Sequence, residues 1–410
     1  MSKIKEITCH KVLNSRGDWT IETQVELEDG SIGEQTIPDG ASKGINEAVT
    51  IPVEKAIDIV SSAINEALQG VDVFDQVGID GIMNELDGTK NKINMGGNSI
   101  LSVSLACAQA ASVSKKVPLY KYLHELYSTR FHAEAKMGFP TPVFNVLNGG
   151  LHARNNLSFQ EFMVIPSPDY SYEQSMEIGV DVYKTLKNIL EKKKMGVGVG
   201  DEGGFAPFGL NPITALELVK KAASVNYKPG KDLFFGLDVA AGSFVKGQKY
   251  FIRELDAHFT GKQVLELYLQ MLGEFELIYL EDPFYEMHDE FWAEAKKTLG
   301  SRLMIVGDDL VVTNKTLLKR ALEKDLLNAV IVKPNQVGTL SETFEFVKLA
   351  KSNGLAVVLS HRSGDTAEDT FIADFAVAVG AQFMKSGSPA RGERVAKYNR
   401  LLEIEAEYTL

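Results

Sequence analysis

Beyond Pro142 the chain settles into an alternation that few folds can accommodate. Short apolar runs at 143–147, 159–165, 234–238, 277–281, 303–307, 329–333, 356–360 and 382–385 are mostly separated by helix-length amphipathic stretches. Helices are expected, for example, over 262–272, 316–325, 341–352 and 391–406. Runs this short and this apolar read as strands buried on both faces. Eight such strands alternating with helices are what a closed (β/α)8 barrel requires. An open doubly wound sheet is the competing arrangement. It is disfavoured because no glycine fingerprint for a nucleotide follows the early runs.

The first third of the chain reads differently. Residues 20–27 alternate with period two, turn at Asp29-Gly30 and resume over 31–37, which predicts a strand meander. Helical segments are expected at 47–68, 99–115 and 118–126, and Gly138, Pro140 and Pro142 then break both periodicities. The expected organisation is therefore α/β, with an N-terminal α+β domain over 1–130 and an α/β barrel over 140–410. The most apolar helix, 100–113, is too short for a bilayer and is interrupted by Ser102, Ser104 and Gln109. The first dozen residues lack the apolar run of a signal peptide, and Cys9 and Cys107 stand far apart. Together these features predict a cytoplasmic protein without a membrane span, disulfide framework or thiolate metal site.

Charge narrows the chemistry. The chain carries a net −12 with no block of basic residues, which argues against a nucleic-acid partner. Acids converging on one site would instead call for a divalent cation. Asp238, Glu281 and Asp308 each end or directly follow a different apolar run. In a barrel the ends of those strands meet at one mouth, where three carboxylates would repel one another unless a hard cation held them. Magnesium suits such all-oxygen ligation. Lys333 and Lys385 also end apolar runs, and a lysine at a barrel mouth can serve as a base. His361, Arg362 and Ser363 follow the seventh run, where barrels often hold phosphate. Two further loops are dense in polar groups, one around His152 and Glu161 and the other around Asp201 and Glu202 between glycines. A lone histidine, lysine or acid of this kind is about as often structural as functional, so it is the convergence that carries weight.

The chain resembles the enolase family from near its first residue to its last. The matching stretches, in order, are Asn14-Ser-Arg-Gly, Gly40-Ala-Ser, Asn148-Gly-Gly-x-His152-Ala, Gln160-Glu161-Phe-Met, Gly200-Asp-Glu202-Gly-Gly and Gly236-Leu-Asp238. They continue with Glu281-Asp-Pro, Val306-Gly-Asp308-Asp, Lys333-Pro-Asn-Gln-x-Gly-Thr339, Ser360-His-Arg-Ser-Gly364 and Lys385-Ser-Gly. The resemblance implies a capping domain followed by an enolase-type barrel. The implied activity is that of a hydro-lyase interconverting 2-phosphoglycerate and phosphoenolpyruvate in glycolysis and gluconeogenesis. It further implies two magnesium ions per site, the second bound with substrate, and a homodimer or dimer-based assembly. Asp238, Glu281 and Asp308 would bind the first magnesium, and Ser42 would complete the second site. Lys333 would be the base, and Glu202 the acid with Glu161 beside it. Lys385 would stabilise the charge on the substrate, Arg362 and Ser363 would hold the phosphate with His361 next to them, and His152 would line the closed site.

Departures from the family pattern fall in loops. Asp39 and Lys43 replace a usual Ser and Thr, Asp18-Trp19 replaces a usual Asn-Pro, Gly242-Ser243 lacks a usual acid, and the stretch around Ala367 is one residue longer. The first of these makes a different phosphorylated or carboxylated hydroxy acid the second reading for the substrate.

Overall fold

The computed structural model describes residues 2–40, 46–134 and 136–409. The chain opens with a three-stranded antiparallel sheet in the order β1 (Ile4–Leu13), β2 (Trp19–Leu27), β3 (Ile32–Thr36). Alternation along β2 buries Ile21, Thr23, Val25 and Leu27. The sheet packs on the helix Gly97–Lys115, and the approach is close. A Cβ on Gly33 would lie 2.2 Å from the backbone nitrogen of Ala110, so no other residue fits there. The polar residues that interrupt this apolar helix are all partnered. Ser102 Oγ accepts from Thr23 Oγ1 at 2.7 Å, Ser104 Oγ accepts the Leu340 N–H at 3.0 Å, and Gln109 donates to Gln35 Oε1 at 2.6 Å. Strand β1 was not expected from the sequence. It pairs with β2 alone and buries only Ile4 and Ile7, so its alternation is too weak to read.

The barrel is built from β4 (Thr141–Asn148), β5 (Glu161–Pro166) and β6 (Leu233–Asp238). A small antiparallel sheet follows as β7 (Val245–Lys246), β8 (Lys249–Ile252) and β9 (Ala257–Thr260). The barrel then resumes with β10 (Leu277–Glu281), β11 (Met304–Gly307), β12 (Ala329–Val332), β13 (Ala356–Ser360) and β14 (Phe383–Lys385). These eight strands close on themselves in the order β4-β5-β6-β10-β11-β12-β13-β14. The interior is packed by a cluster of its own that includes Met163, Ile165, Tyr279, Val306, Ile331 and Val358.

One strand departs from simple (β/α)8 order. β5 runs antiparallel to both neighbours. A loop without a helix joins β4 to β5, and two helices, Tyr172–Lys192 and Pro212–Ala223, separate β5 from β6. The reversal has a chemical consequence. It is the first residue of β5, Glu161, that sits at the mouth where the other strands end. Register pairs Asn148 with Glu161, Glu161 with Asp238 and Asp238 with Glu281, giving a row of polar side chains across four adjacent strands.

Hydrogen bonds as well as packing join the N-terminal elements to the barrel. Asp80, on the helix Gln76–Asp87, is 1% exposed. Its Oδ2 accepts the backbone N–H of Ser341 at 2.9 Å, in the first turn of the barrel helix Leu340–Ser352. Its Oδ1 accepts from Gln76 Nε2 at 3.1 Å. No helix among the described residues is long and apolar enough to cross a membrane. Asp80→Asn places an amide donor opposite one of two donors. It should cost about 1–3 kcal/mol in urea unfolding, whereas an unchanged midpoint would contradict this role.

Candidate active site

The polar row opens into a cavity of about 510 Å³ at the barrel mouth. His152, Glu161, Glu202, Asp238 and Asp308 line it on one side of the expected chemistry, and Lys333, His361, Arg362, Ser363 and Lys385 on the other. Glu281 is the exception among the expected residues described. It is fully buried below the floor and reaches the site through Lys385. Ser42 lies outside the described residues.

Lysines meet the carboxylates at the mouth. Lys385 Nζ stands 3.1 Å from Asp238 Oδ2, 2.8 Å from Glu281 Oε2 and 3.2 Å from Glu161 Oε2. Burial opposes its charge, but the three carboxylates outweigh that and push its pKa well up. Lys333 Nζ is ion-paired with Asp308 Oδ2, while Asp308 Oδ1 accepts from Gln336 Nε2 at 3.0 Å. Burial again works against the ammonium, and Asp308 again wins, so Lys333 is raised and Asp308 lowered. Thr313 fixes the backbone beneath this pair. Its Oγ1 accepts the Lys333 N–H at 2.9 Å and donates to Gln336 Oε1 at 2.7 Å.

This donor set fits a divalent cation. Asp238, Glu281, Asp308 and Glu161 crowd four carboxyl groups around two ammonium groups in a buried site. The crowding is visible in Glu281, whose pKa burial, with Asp238 next to it, pushes up to about 8. Potential ligand atoms fall within 4.8 Å of one another in two groups, His152–Glu161–Glu202 and Asp282–Asp308–Asp309. Asp282 is committed elsewhere, because its two oxygens accept the backbone N–H groups of Asp308 and Asp309, each at 2.9 Å. It shapes the loop that carries Asp308.

The opposite wall holds Glu202 between two imidazoles. Its Oε2 accepts from Asn145 Nδ2 at 3.0 Å and lies 3.4 Å from His152 Nδ1, and its Oε1 lies 3.4 Å from His361 Nε2. Burial, with Arg394 behind it, drops the His361 pKa to about 4, which favours the neutral ring. Glu161 stands beside Glu202, and burial together with that neighbouring charge raises its pKa well above the usual carboxylate range.

The loop carrying Arg362 and Ser363 is braced from the N-terminal side. Arg362 Nη1 donates to Asn335 Oδ1 at 3.0 Å and to Glu47 Oε2 at 3.3 Å. Asp39 and Gly364 exchange backbone hydrogen bonds, and Gly40 lies so near that a Cβ would fall 1.9 Å from Arg362 Nη2. The Asn14-Ser-Arg-Gly stretch turns beneath this loop, where the Ser15 N–H donates to the Asp365 carbonyl at 2.7 Å and Ser15 Oγ to the Ser363 carbonyl at 3.1 Å. Sequence reasoning passed over several of these supports. Asn145 left a signal, an amide inside the apolar run 143–147. Glu47 and Arg394 left none, since Glu47 is a lone acid at the expected start of a helix and Arg394 sits in a charged stretch that reads as a solvated helix face.

Comparison with known proteins agrees with this architecture. Residues 4–123 match the family described as "Enolase, N-terminal domain", and residues 136–409 match "Enolase, C-terminal TIM barrel domain". An enolase from Ehrlichia ruminantium is 42% identical over 415 residues, covering 98% of this chain and 96% of that protein. One from Bdellovibrio bacteriovorus is 42% identical over 420 residues, covering 99% and 97% respectively. With two family domains matched in order and relatives this similar along nearly their whole length, the chain belongs to the enolase family.

Proposed function

We propose that this enolase-family lyase interconverts 2-phospho-D-glycerate and phosphoenolpyruvate with magnesium. The observation that carries the reading is that one cavity gathers the Lys333–Asp308 ion pair, Glu161 beside Glu202, and Arg362 with Ser363. Arg362 and Ser363 would hold the phosphate, and Lys385 would face the charge that builds on the substrate carboxylate. Lys333 Nζ would take the proton from the carbon next to that carboxylate. The electron pair left behind forms the double bond as hydroxide departs, and Glu202, resupplied by Glu161, gives the proton that makes it water. Asn145 already donates to Glu202, and His152 and His361 would keep it oriented. Magnesium held by Asp238, Glu281 and Asp308 would supply Lewis-acid stabilisation of the carboxylate, worth several kcal/mol, while releasing Lys333 from its ion pair. The Ser42 contribution to a second magnesium rests on the family resemblance.

A homodimer is part of the same proposal. Leu13 and Trp19 are cross-strand neighbours, 55% and 53% exposed, and form an apolar patch suited to a subunit contact. The backbone pairing of Asp39 with Gly364 places an extra acid beside the phosphate loop, which favours testing related hydroxy acids as a second reading.

Purified protein supplied with magnesium and 2-phosphoglycerate should form phosphoenolpyruvate and stop on chelation. Lys333→Ala should lower kcat at least about 10²–10⁴-fold. Glu202→Gln should slow dehydration while leaving exchange of the substrate α-hydrogen with solvent deuterium. Near-normal turnover in Lys333→Ala would remove it from the role of base. In a substrate panel, turnover confined to another hydroxy acid would replace the reading.

Stability offers a second check, independent of turnover. Lys385→Met strands three buried carboxylates and should cost about 3–5 kcal/mol in urea unfolding without metal. Magnesium should recover more stability in this variant than in the native protein. Equal recovery in both would mean that the cation does not answer the same charge.

A further inference from the structure

Behind the cavity wall, one side chain joins two loops that arrive from distant parts of the chain. Arg394 lies in the first turn of the helix Gly392–Thr409 and is completely buried. Its Nη1 lies 2.5 Å from His361 Nδ1 and donates to the Arg362 carbonyl at 2.6 Å. Its Nη2 donates to the Ser363 carbonyl at 2.6 Å and to the Asp201 carbonyl at 3.2 Å. The guanidinium charge is met by Asp365, equally buried, whose Oδ2 lies 3.3 Å from Nη1 and also receives Lys397 Nζ at 2.8 Å.

The chemistry of these partners leaves little freedom. A guanidinium has five donors and no acceptor, and it stays charged in proteins. A ring nitrogen 2.5 Å from it must therefore present a lone pair. In a neutral imidazole the hydrogen then sits on the other nitrogen, and His361 Nε2 is the atom 3.4 Å from Glu202 Oε1. The same guanidinium also grips the carbonyl of the residue before Glu202 and the carbonyls of Arg362 and Ser363.

We propose that Arg394 is a positioning residue for the dehydration: it fixes His361 as the Nε2–H tautomer that donates to Glu202, and it locks the Glu202 loop to the phosphate loop. This role rests on the reading of Glu202 and Arg362 given above. A single side chain thereby sets the distance between the group that protonates the leaving hydroxyl and the cleft that anchors the phosphate. Misplacement at this scale is felt in turnover as well as in folding.

The test uses the full-length protein with 15N-labelled histidine rings, read by long-range proton–nitrogen correlation, with His361 identified by comparison with His361→Gln. The expected result is a His361 ring with hydrogen on Nε2 and a bare Nδ1. In Arg394→Met, checked for native fold by circular dichroism, that preference should disappear and kcat on 2-phosphoglycerate should fall about 10–100-fold. Arg394→Lys keeps a cationic donor beside Nδ1, so it should retain the tautomer and recover part of the turnover. Hydrogen on Nδ1 in the native protein, or an unchanged Nε2–H ring in folded Arg394→Met, overturns the proposal. If Arg394→Met does not fold, the native protein and Arg394→Lys decide it by the same ring signal. The tautomer is read without substrate. Absence of activity on 2-phosphoglycerate therefore defeats the proposed reaction, and the ring signal alone judges the Arg394–His361 contact.

Discussion

Three carboxylates set side by side across neighbouring strands cannot stay buried together unless something positive stands among them. Register pairs Glu161 with Asp238 and Asp238 with Glu281, and the ammonium of Lys385 stands against all three. Bringing unpaired charges out of water costs several kcal/mol each even after relaxation, so this contact is a condition of the barrel closing as it does. Two ammonium groups stand among four acids at the mouth, a donor set that suits a divalent cation.

The rest of the molecule positions that arrangement. The N-terminal sheet rests on a helix of small residues, allowed by Gly33, and that helix in turn lies against the barrel with Ser104 meeting the Leu340 N–H. Asp80 secures the same junction. The chain before residue 41 reaches the loop after β13 through Asp39 and Ser15, so the N-terminal elements brace Arg362 and Ser363 from outside the barrel. Lys333, Glu202 and Arg362 hang on different loops whose separation is set by buried polar contacts.

Much of this was legible in the sequence, for a physical reason. Strands buried on both faces must be apolar, so a charged residue at the end of one stands out, as Asp238, Glu281, Lys333 and Lys385 do. Eight closely spaced runs then leave few topologies besides a closed barrel. Strand direction was not legible, because an apolar run reads the same both ways. That is why the reversed β5, which brings Glu161 to the mouth by its first residue, emerges only from the pairing. Depth was hidden too, since Glu281 and Asp238 look alike in sequence but only Asp238 lines the cavity. Arg394 was invisible because a charged residue in an amphipathic stretch looks solvated until its neighbours are known. Its complete burial and four oxygen and nitrogen partners on the two loops reveal it.

The central proposal is that the carboxyl groups gathered at the barrel mouth bind a divalent cation, held by Asp238, Glu281 and Asp308. Crystals soaked with manganese, an oxygen-seeking stand-in for magnesium, and read by anomalous scattering test it most directly. The account predicts a peak within bonding distance of one oxygen from each of these three carboxylates, with Lys333 moved off Asp308. A peak between His152, Glu161 and Glu202, or between Asp282, Asp308 and Asp309, or no peak at the mouth at all, would contradict it.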